Sequence, residues 1–295
     1  SDGFEFFHGQ GGNDTIDGGA GYDRVDYTNS TTGASVTLGG SSNGTASDGL
    51  GGTDTLINIE AVRASELNDT LTGSVTGTFE SFEGRGGNDT IDGKGGTDRV
   101  DYQSSTSGVS VSIATGTASD GFGGTDTFTN IENVRGSAFN DALTGDANIN
   151  WLEGGAGNDT LTGGAGNDVF AFAPAGVGTD IITDFEVGDI VGIGATLTAG
   201  TATAGDGSAV TGKNVQVSSS GGVTTLWIDT NNVAGAELQI NLTGTFAASS
   251  FTVTDNLDGR SSITRTSALT LTGTAGNDTL TGGSDNDTLD GLAGN

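Results

Sequence analysis

Isolated large apolar residues recur along this chain in a fixed polar frame. Ile16, Val25, Ile91, Val100, Leu161, Phe170, Leu280 and Leu289 each stand two places after an Asp, and within each pair they are nine residues apart. One apolar side chain in a three-residue segment predicts a short strand that sends that residue to one face and its neighbours to the other. Glycine-rich hexapeptides separate the segments, so tight turns and short strands should alternate and the fold should be all-β. No amphipathic helix is visible. Residues 173–256 lack the frame and read as strands broken by Gly and Thr, over 180–185, 189–193, 214–218, 223–228, 237–242 and 251–254. Trp227, in one of these alternating strands, reads as a core residue.

The nine-residue frame comes in tandem pairs, from Gly9 and Gly18, from Gly84 and Gly93, from Gly154 and Gly163, and from Gly273 and Gly282. A longer super-repeat lies above it. Asp14, Asp23 and Tyr27 recur one long unit on as Asp89, Asp98 and Tyr102, and Asp54, Glu60 and Asp69 recur at a slightly shorter interval as Asp126, Glu132 and Asp141. The slip between the two intervals places a small deletion between Tyr102 and Asp120, in a Ser/Thr/Gly stretch where a loop tolerates it. A third copy opens at Leu152-Glu153-Gly154 and departs after Phe172. Self-similarity at fixed periods predicts a solenoid of stacked units. The expected organisation is a repeat array over 1–172, a β-rich cap over 173–256, a Ser/Thr linker over 257–270 and the start of a second array over 271–295. The chain has no initiating Met and stops at Gly294-Asn295 where the frame calls for an Asp, so it reads as a piece of something longer.

Charge sharpens this picture. Lys and Arg number 9 against 38 Asp and Glu, a net charge of −29, which excludes a nucleic-acid binder because that function needs a basic face. Asp outnumbers Glu 29 to 9, as short-armed carboxylates in turns would require. With 55 Gly and 1 Pro, the chain is neither collagen-like nor a Pro-rich linker. Rows of stacked carboxylates would repel one another, so the chain is expected to fold only when a cation neutralises them, and oxygen-seeking Ca2+ is the obvious one. Cysteine is absent, which removes disulfides and zinc-thiolate sites. No apolar run reaches the ~20 residues that span a bilayer, and no segment suits membrane insertion.

The nonapeptide Gly-Gly-x-Gly-x-Asp-x-U-x, with U apolar, resembles the calcium-binding RTX repeat of secreted bacterial proteins, over residues 4–172 and 271–295. The resemblance implies a parallel β-roll solenoid with calcium in the turns, two nonapeptides per coil, and export of the unfolded chain by type I secretion. It implies carboxylate ligands at Asp14, Asp23, Asp54, Asp89, Asp98, Asp126, Asp159, Asp168, Asp278 and Asp287, with Asp69 and Asp141 in degenerate coils that bind weakly or not at all. Asp180 is expected to close the last site of the array. The turn glycines implied as carbonyl ligands are Gly9, Gly11, Gly18, Gly19, Gly21, Gly84, Gly86, Gly93, Gly95, Gly154, Gly155, Gly157, Gly163, Gly164, Gly166, Gly273, Gly276 and Gly282. Elementary chemistry agrees, since glycines let several carbonyls converge on one ion and Asp adds an anionic oxygen. Residues 173–256 resemble the cap that follows the roll in serralysin-type secreted proteins, through Asp168-Val169-Phe170 and Thr179-Asp180-Ile181-Ile182-Thr183-Asp184-Phe185.

Catalytic signals are weak. His8 is the sole histidine, and its repeat equivalents are Glu83 and Glu153. Gly40-Ser41-Ser42-Asn43-Gly44 matches a nucleophile elbow only formally, because no helix signal follows it. Asp229, Asn231 and Glu237 are spaced partly like a calcium loop but lack its central Gly and third carboxylate. The sequence therefore predicts a non-enzymatic, calcium-binding structural module of a secreted surface protein of the surface-layer or adhesin type. Its partners would be calcium, other copies of itself, other surface-layer components or cell-surface polysaccharide. The alternative is the secretion and folding module of an exoenzyme whose catalytic domain lies elsewhere.

Overall fold

In the computed structural model, the isolated apolar residues set the architecture. Thr15–Asp17, Thr90–Asp92 and Thr160–Thr162 are three-residue strands in which only the central Ile16, Ile91 or Leu161 is buried. The structure describes residues 3–174, 178–208, 210–231, 233, 235–256, 259–265, 270–272 and 288–290. The chain passes back and forth between two sheets. The first has nine parallel strands, Phe6–Phe7, Arg24–Asp26, Ala61–Arg63, Phe79–Glu83, Thr97–Asp101, Asn133–Arg135, Trp151–Glu153, Val169–Phe172 and Ile190–Ile193. The second runs opposite it through Thr15–Asp17, Thr70–Thr72, Thr90–Asp92, Ala142–Thr144, Thr160–Thr162 and Thr179–Ile182.

Between the sheets the inward residues form a narrow core. Val25, Leu71, Phe82, Val134, Leu143, Leu152 and Phe170 are completely buried. Each such burial contributes about 1.5–3 kcal/mol, so a strand with one inward residue is weak alone and is held by its neighbours above and below. On the outer face of the first sheet, aligned acidic and basic side chains form a row of ion pairs. Arg63 meets Glu83 at 3.2 Å, and Asp101 meets Arg99 at 3.2 Å and Arg135 at 3.5 Å.

Each long unit also contains a hairpin that periodicity did not reveal. In the first, Ser35–Thr37, Gly44–Ser47 and Thr53–Ile57 form an antiparallel meander within the second sheet, and Thr53–Ile57 then pairs in parallel with Thr15–Asp17. Ser110–Ser112, Thr117–Ser119 and Thr125–Thr129 repeat the arrangement. Tyr27, Val36, Leu38 and Ala46 are buried at the first meander, and Tyr102, Val109, Val111 and Ala118 at the second.

The sheets continue past residue 172 without a break. Thr179–Ile182 and Ile190–Ile193 add a further coil in parallel register with Thr160–Thr162 and Val169–Phe172. Further strands extend both sheets: Leu238–Thr243 joins the second in parallel with Thr179–Ile182 and is followed by antiparallel Val223–Ile228 and Val215–Ser220, and antiparallel Ser261–Arg265, Phe251–Asp255 and Gly200–Thr201 extend the first. The six strands expected over 173–256 are all present. Within the span read as a linker, 257–270, the described Ser261–Arg265 is a strand that pairs with two others, and Ile263 is fully buried. Its lone apolar residue among Ser, Thr and Arg gave too weak an alternation to register as a strand. Trp227 also departs from expectation. Leu226 and Ile228 take the core positions, and Trp227 faces outward, half-buried, with its Nε1 donating to Ser218 Oγ at 3.0 Å. Thr270–Thr272 pairs in parallel with Thr288–Asp290, the offset of one coil.

Candidate functional site

The turns joining the two sheets stack into two columns of carboxylates. In the first, the backbone N–H of each acidic residue donates to the carboxylate one coil further on: Asp14 to Asp54, Asp69 to Asp89, Asp89 to Asp126, Asp141 to Asp159 and Asp159 to Asp180, at 2.8–3.0 Å. In the second column Asp23 donates to Glu60, Glu80 to Asp98, Asp98 to Glu132 and Asp168 to Asp189. One carboxylate oxygen is thereby consumed at each level.

The other oxygen separates the residues into classes. Asp14, Asp23, Asp89, Asp98, Asp159 and Asp168, the Asp of every described tandem nonapeptide, each have a buried Oδ2 with no hydrogen-bond partner. At Asp54 and Asp126 that oxygen is taken by the hydroxyls of Tyr27 and Tyr102, at 2.9 and 3.0 Å. At Asp69 and Asp141 it accepts the backbone N–H of Ser65 and Ser137, at 2.9 and 2.6 Å, and each serine hydroxyl bonds the same carboxylate. Asp180 uses Oδ1 for the Asp159 N–H. Asp278, Asp287, Gly273, Gly276 and Gly282 lie outside the described residues.

A buried anionic oxygen with no donor is costly, and a hard cation is the partner that suits it. Among the described residues no three acidic or histidine side chains converge on one point, so backbone carbonyls must complete any such site. The turns supply that chemistry. Burial, together with the charges of Glu80 and Glu132, pushes Asp98 up to about 7, and burial with Asp180 and Asp141 does the same to Asp159. Asp89 is raised by burial and by the nearby Asp126, Asp69 and Asp120 charges.

A side chain at the first position of the frame would crowd the free oxygen, and at Gly18 and Gly93 it would overlap the Asn58 and Asn130 carbonyls first. A Cβ on Gly18 or Gly93 would stand 2.8 Å from Asp23 or Asp98 Oδ2, and one on Gly84, Gly154 or Gly163 would overlap the Oδ2 of Asp89, Asp159 or Asp168. At Gly9 the approach to Asp14 Oδ2 is 3.3 Å. The second and fourth positions carry positive φ, as at Gly19 and Gly21, Gly155 and Gly157, and Gly164 and Gly166. In the repeats with Gly at positions three and four, the fourth residue, Gly12, Gly87 or Gly96, has the positive φ, whereas Gly11, Gly86 and Gly95 do not. Adjacent glycines hid that register in the sequence. Gly84→Ala is expected to remove one bound calcium per chain, as Asp89→Ala would, and to lower stability by about 2 kcal/mol. Gly95→Ala, whose Cβ would meet nothing nearer than the Val75 carbonyl at 3.4 Å, should leave calcium uptake unchanged. Equilibrium dialysis of the two variants compares them directly.

The sequence does not single out Asp48, Glu60, Glu80, Asp120, Glu132 and Asp189 as candidate ligands. Glu60 and Glu132 were noticed as recurring, and that recurrence was the available signal. Asp229 accepts N–H bonds from Asn231 and Lys213, and Glu237 accepts one from Thr230, so these carboxylates cap turns. His8 lies at the edge, 3.6 Å from Asp26. Gly40-Ser41-Ser42-Asn43-Gly44 occupies the first turn of the hairpin meander, followed by a strand.

Comparison with known proteins agrees with this chemistry. The RTX calcium-binding nonapeptide repeat matches in four copies, over residues 1–27, 76–103, 132–170 and 270–295. No curated protein matches. Among solved structures, the AlgE6R2 subunit of the Azotobacter vinelandii mannuronan C5-epimerase is similar at 25% identity over 61% of this chain and 81% of that one, with a TM-score of 0.22. The extracellular lipase LipA from Serratia marcescens is similar at 17% identity over 64% of this chain and 38% of that one, with a TM-score of 0.20.

Proposed function

We propose that this chain, a carrier of RTX calcium-binding repeats, is a calcium-folded structural segment of a secreted bacterial surface protein, of the surface-layer or adhesin type. The single observation behind the calcium reading is that the Asp of all six described tandem nonapeptides has a buried, unpartnered oxygen, whereas Asp54, Asp69, Asp126 and Asp141 of the degenerate coils have theirs bonded. Asp14, Asp23, Asp89, Asp98, Asp159 and Asp168 would hold the ions, with turn carbonyls completing each shell. Calcium would supply positive charge between successive coils, while the chain's own N–H ladder orients each carboxylate as the coil forms around the ion.

Repetition favours a structural role. A long unit duplicated in tandem lengthens or stiffens a molecule and adds nothing to a single active site. Calcium would also relieve repulsion between neighbouring acidic surfaces, so the partners would be calcium itself and adjacent copies or surface components. Chelating calcium from intact cells should release this polypeptide into the medium. Retention on the surface would overturn the surface-layer reading, and hydrolytic activity of the purified chain would favour the exoenzyme module instead.

A further inference from the structure

We infer that the hairpin meanders carry two additional calcium sites outside the nonapeptide pattern, with Asp48 and Asp120 as their carboxylate ligands. The inference rests on the calcium reading of the nonapeptide turns. It starts from the substitution made by two tyrosines. Tyr27 and Tyr102 donate to Asp54 and Asp126 Oδ2, the oxygen that a regular coil leaves free. Those two levels therefore lack the anionic oxygen that the tandem nonapeptides offer.

Asp48 and Asp120 restore it. Both are fully buried, and the Oδ2 of each has no hydrogen-bond partner. They occupy equivalent places in the two long units, each at the turn that leads into Thr53–Ile57 or Thr125–Thr129. Their Oδ1 atoms are occupied by that turn: Asp48 accepts the N–H groups of Leu50 and Gly52, and Asp120 those of Phe122, Gly123 and Gly124, at 2.8–2.9 Å. Turn formation thus accounts for one oxygen of each carboxylate and leaves the other unexplained.

The unexplained oxygen faces another acceptor. Asp48 Oδ2 and the carbonyl oxygen of Gly12 both lie within 2.6 Å of the point a Cβ on Gly52 would occupy, and Asp120 Oδ2 and the Gly87 carbonyl stand in the same relation to Gly124. Gly12 and Gly87 belong to the nonapeptides of Asp14 and Asp89, whose own Oδ2 atoms are also buried and unpartnered. A carbonyl oxygen beside a buried carboxylate oxygen is an arrangement that a cation would stabilise. Gly52 and Gly124 leave the space that any side chain would fill. Each site would then comprise a hairpin carboxylate and a nonapeptide carbonyl, leaving the Asp14 and Asp89 oxygens to their own ions, which is oxygen chemistry for calcium.

An amide in place of the carboxylate separates a ligand from a turn former. Asp48→Asn keeps the Oδ1 acceptor and turns an N–H donor toward the Gly12 carbonyl, so a purely structural residue would tolerate it or gain from it. As a ligand, Asp48→Asn should bind one calcium fewer per chain than the parent, Asp120→Asn one fewer, and the double variant two fewer. These counts come from equilibrium dialysis of calcium, and terbium anomalous scattering would locate the ions. Unchanged stoichiometry in all three, with Asp14→Asn losing an ion, would overturn this inference and leave the nonapeptide reading intact. Unchanged stoichiometry in Asp14→Asn as well would overturn both. Retained β-type circular dichroism in excess calcium verifies that each variant folds.

Discussion

Removing calcium is expected to unfold the roll, with loss of the β-type circular dichroism spectrum and an increase in the radius of gyration from the ~20 Å of a compact chain of this length toward the ~60 Å of an unfolded one. The reason is quantitative. An unsatisfied buried polar atom costs about 1–3 kcal/mol, and more when it is charged. Six such Asp oxygens lie in the nonapeptide turns alone, so their summed cost reaches the roughly 5–15 kcal/mol that stabilises a typical domain. The core cannot compensate, because each short strand contributes one inward side chain. Calcium binding and folding should accordingly be one transition. Magnesium should substitute poorly, since it gives up its water reluctantly. Small-angle scattering in chelator and in millimolar calcium tests this, and equal radii would overturn it.

Acidity should oppose calcium strongly. In the ion-free roll, burial and neighbouring carboxylates push Asp98 and Asp159 up to about 7 and Asp168 to about 6, and burial alone raises Asp180 to about 6, all from 3.8. These folded values exceed the unfolded ones, so protons stabilise the ion-free fold. That contribution is complete below about pH 4 and is lost as pH rises through 6 to 7. Calcium needs the same oxygens deprotonated, so its binding must release protons across that window. Lowering pH from 8 to 5 should raise the calcium midpoint by at least about tenfold, a displacement of one pKa unit per ion being enough. In chelator, the β-type signal should be stronger at pH 5 than at pH 8. A calcium midpoint that stays flat over this range would contradict the argument.

Much of this was legible in the sequence because a repeat states its own geometry. The nine-residue interval between Ile16 and Val25 placed both as inward residues of successive strands, and the 18 residues between Asp141 and Asp159 gave the coil length seen in their hydrogen bond. What stayed hidden depended on contacts between coils. Nothing local to Asp54 announces that Tyr27 will take its second oxygen, and nothing local to Asp69 announces the Ser65 bonds. The hairpin strand Gly44–Ser47 holds Gly, Thr, Ala and Ser, without the large apolar residue that marks the other strands, and its buried Ala46 is too small to show a pattern. Asp48 drew no reading of its own because only the fold sets it beside the Gly12 carbonyl.

The meanders also decide the path of the solenoid axis. Counted across the sheets, Arg24–Asp26 and its equivalent Thr97–Asp101 are three strand positions apart, whereas Thr15–Asp17 and its equivalent Thr90–Asp92 are five apart. At ~4.8 Å per position, one sheet advances about 14 Å per unit and the other about 24 Å. Two sheets tied together by short turns cannot differ in length and stay straight. The excess falls between Thr53–Ile57 and Thr70–Thr72, where two extra strands enter opposite the single step from Ala61–Arg63 to Phe79–Glu83. Each meander therefore inserts two extra strands into one sheet alone, and such a wedge would bow the solenoid with the longer sheet on the convex side. Deleting residues 38–52 would shorten that convex side and draw the rod toward straightness, so curvature in this architecture is written by hairpin insertion rather than by the coil itself.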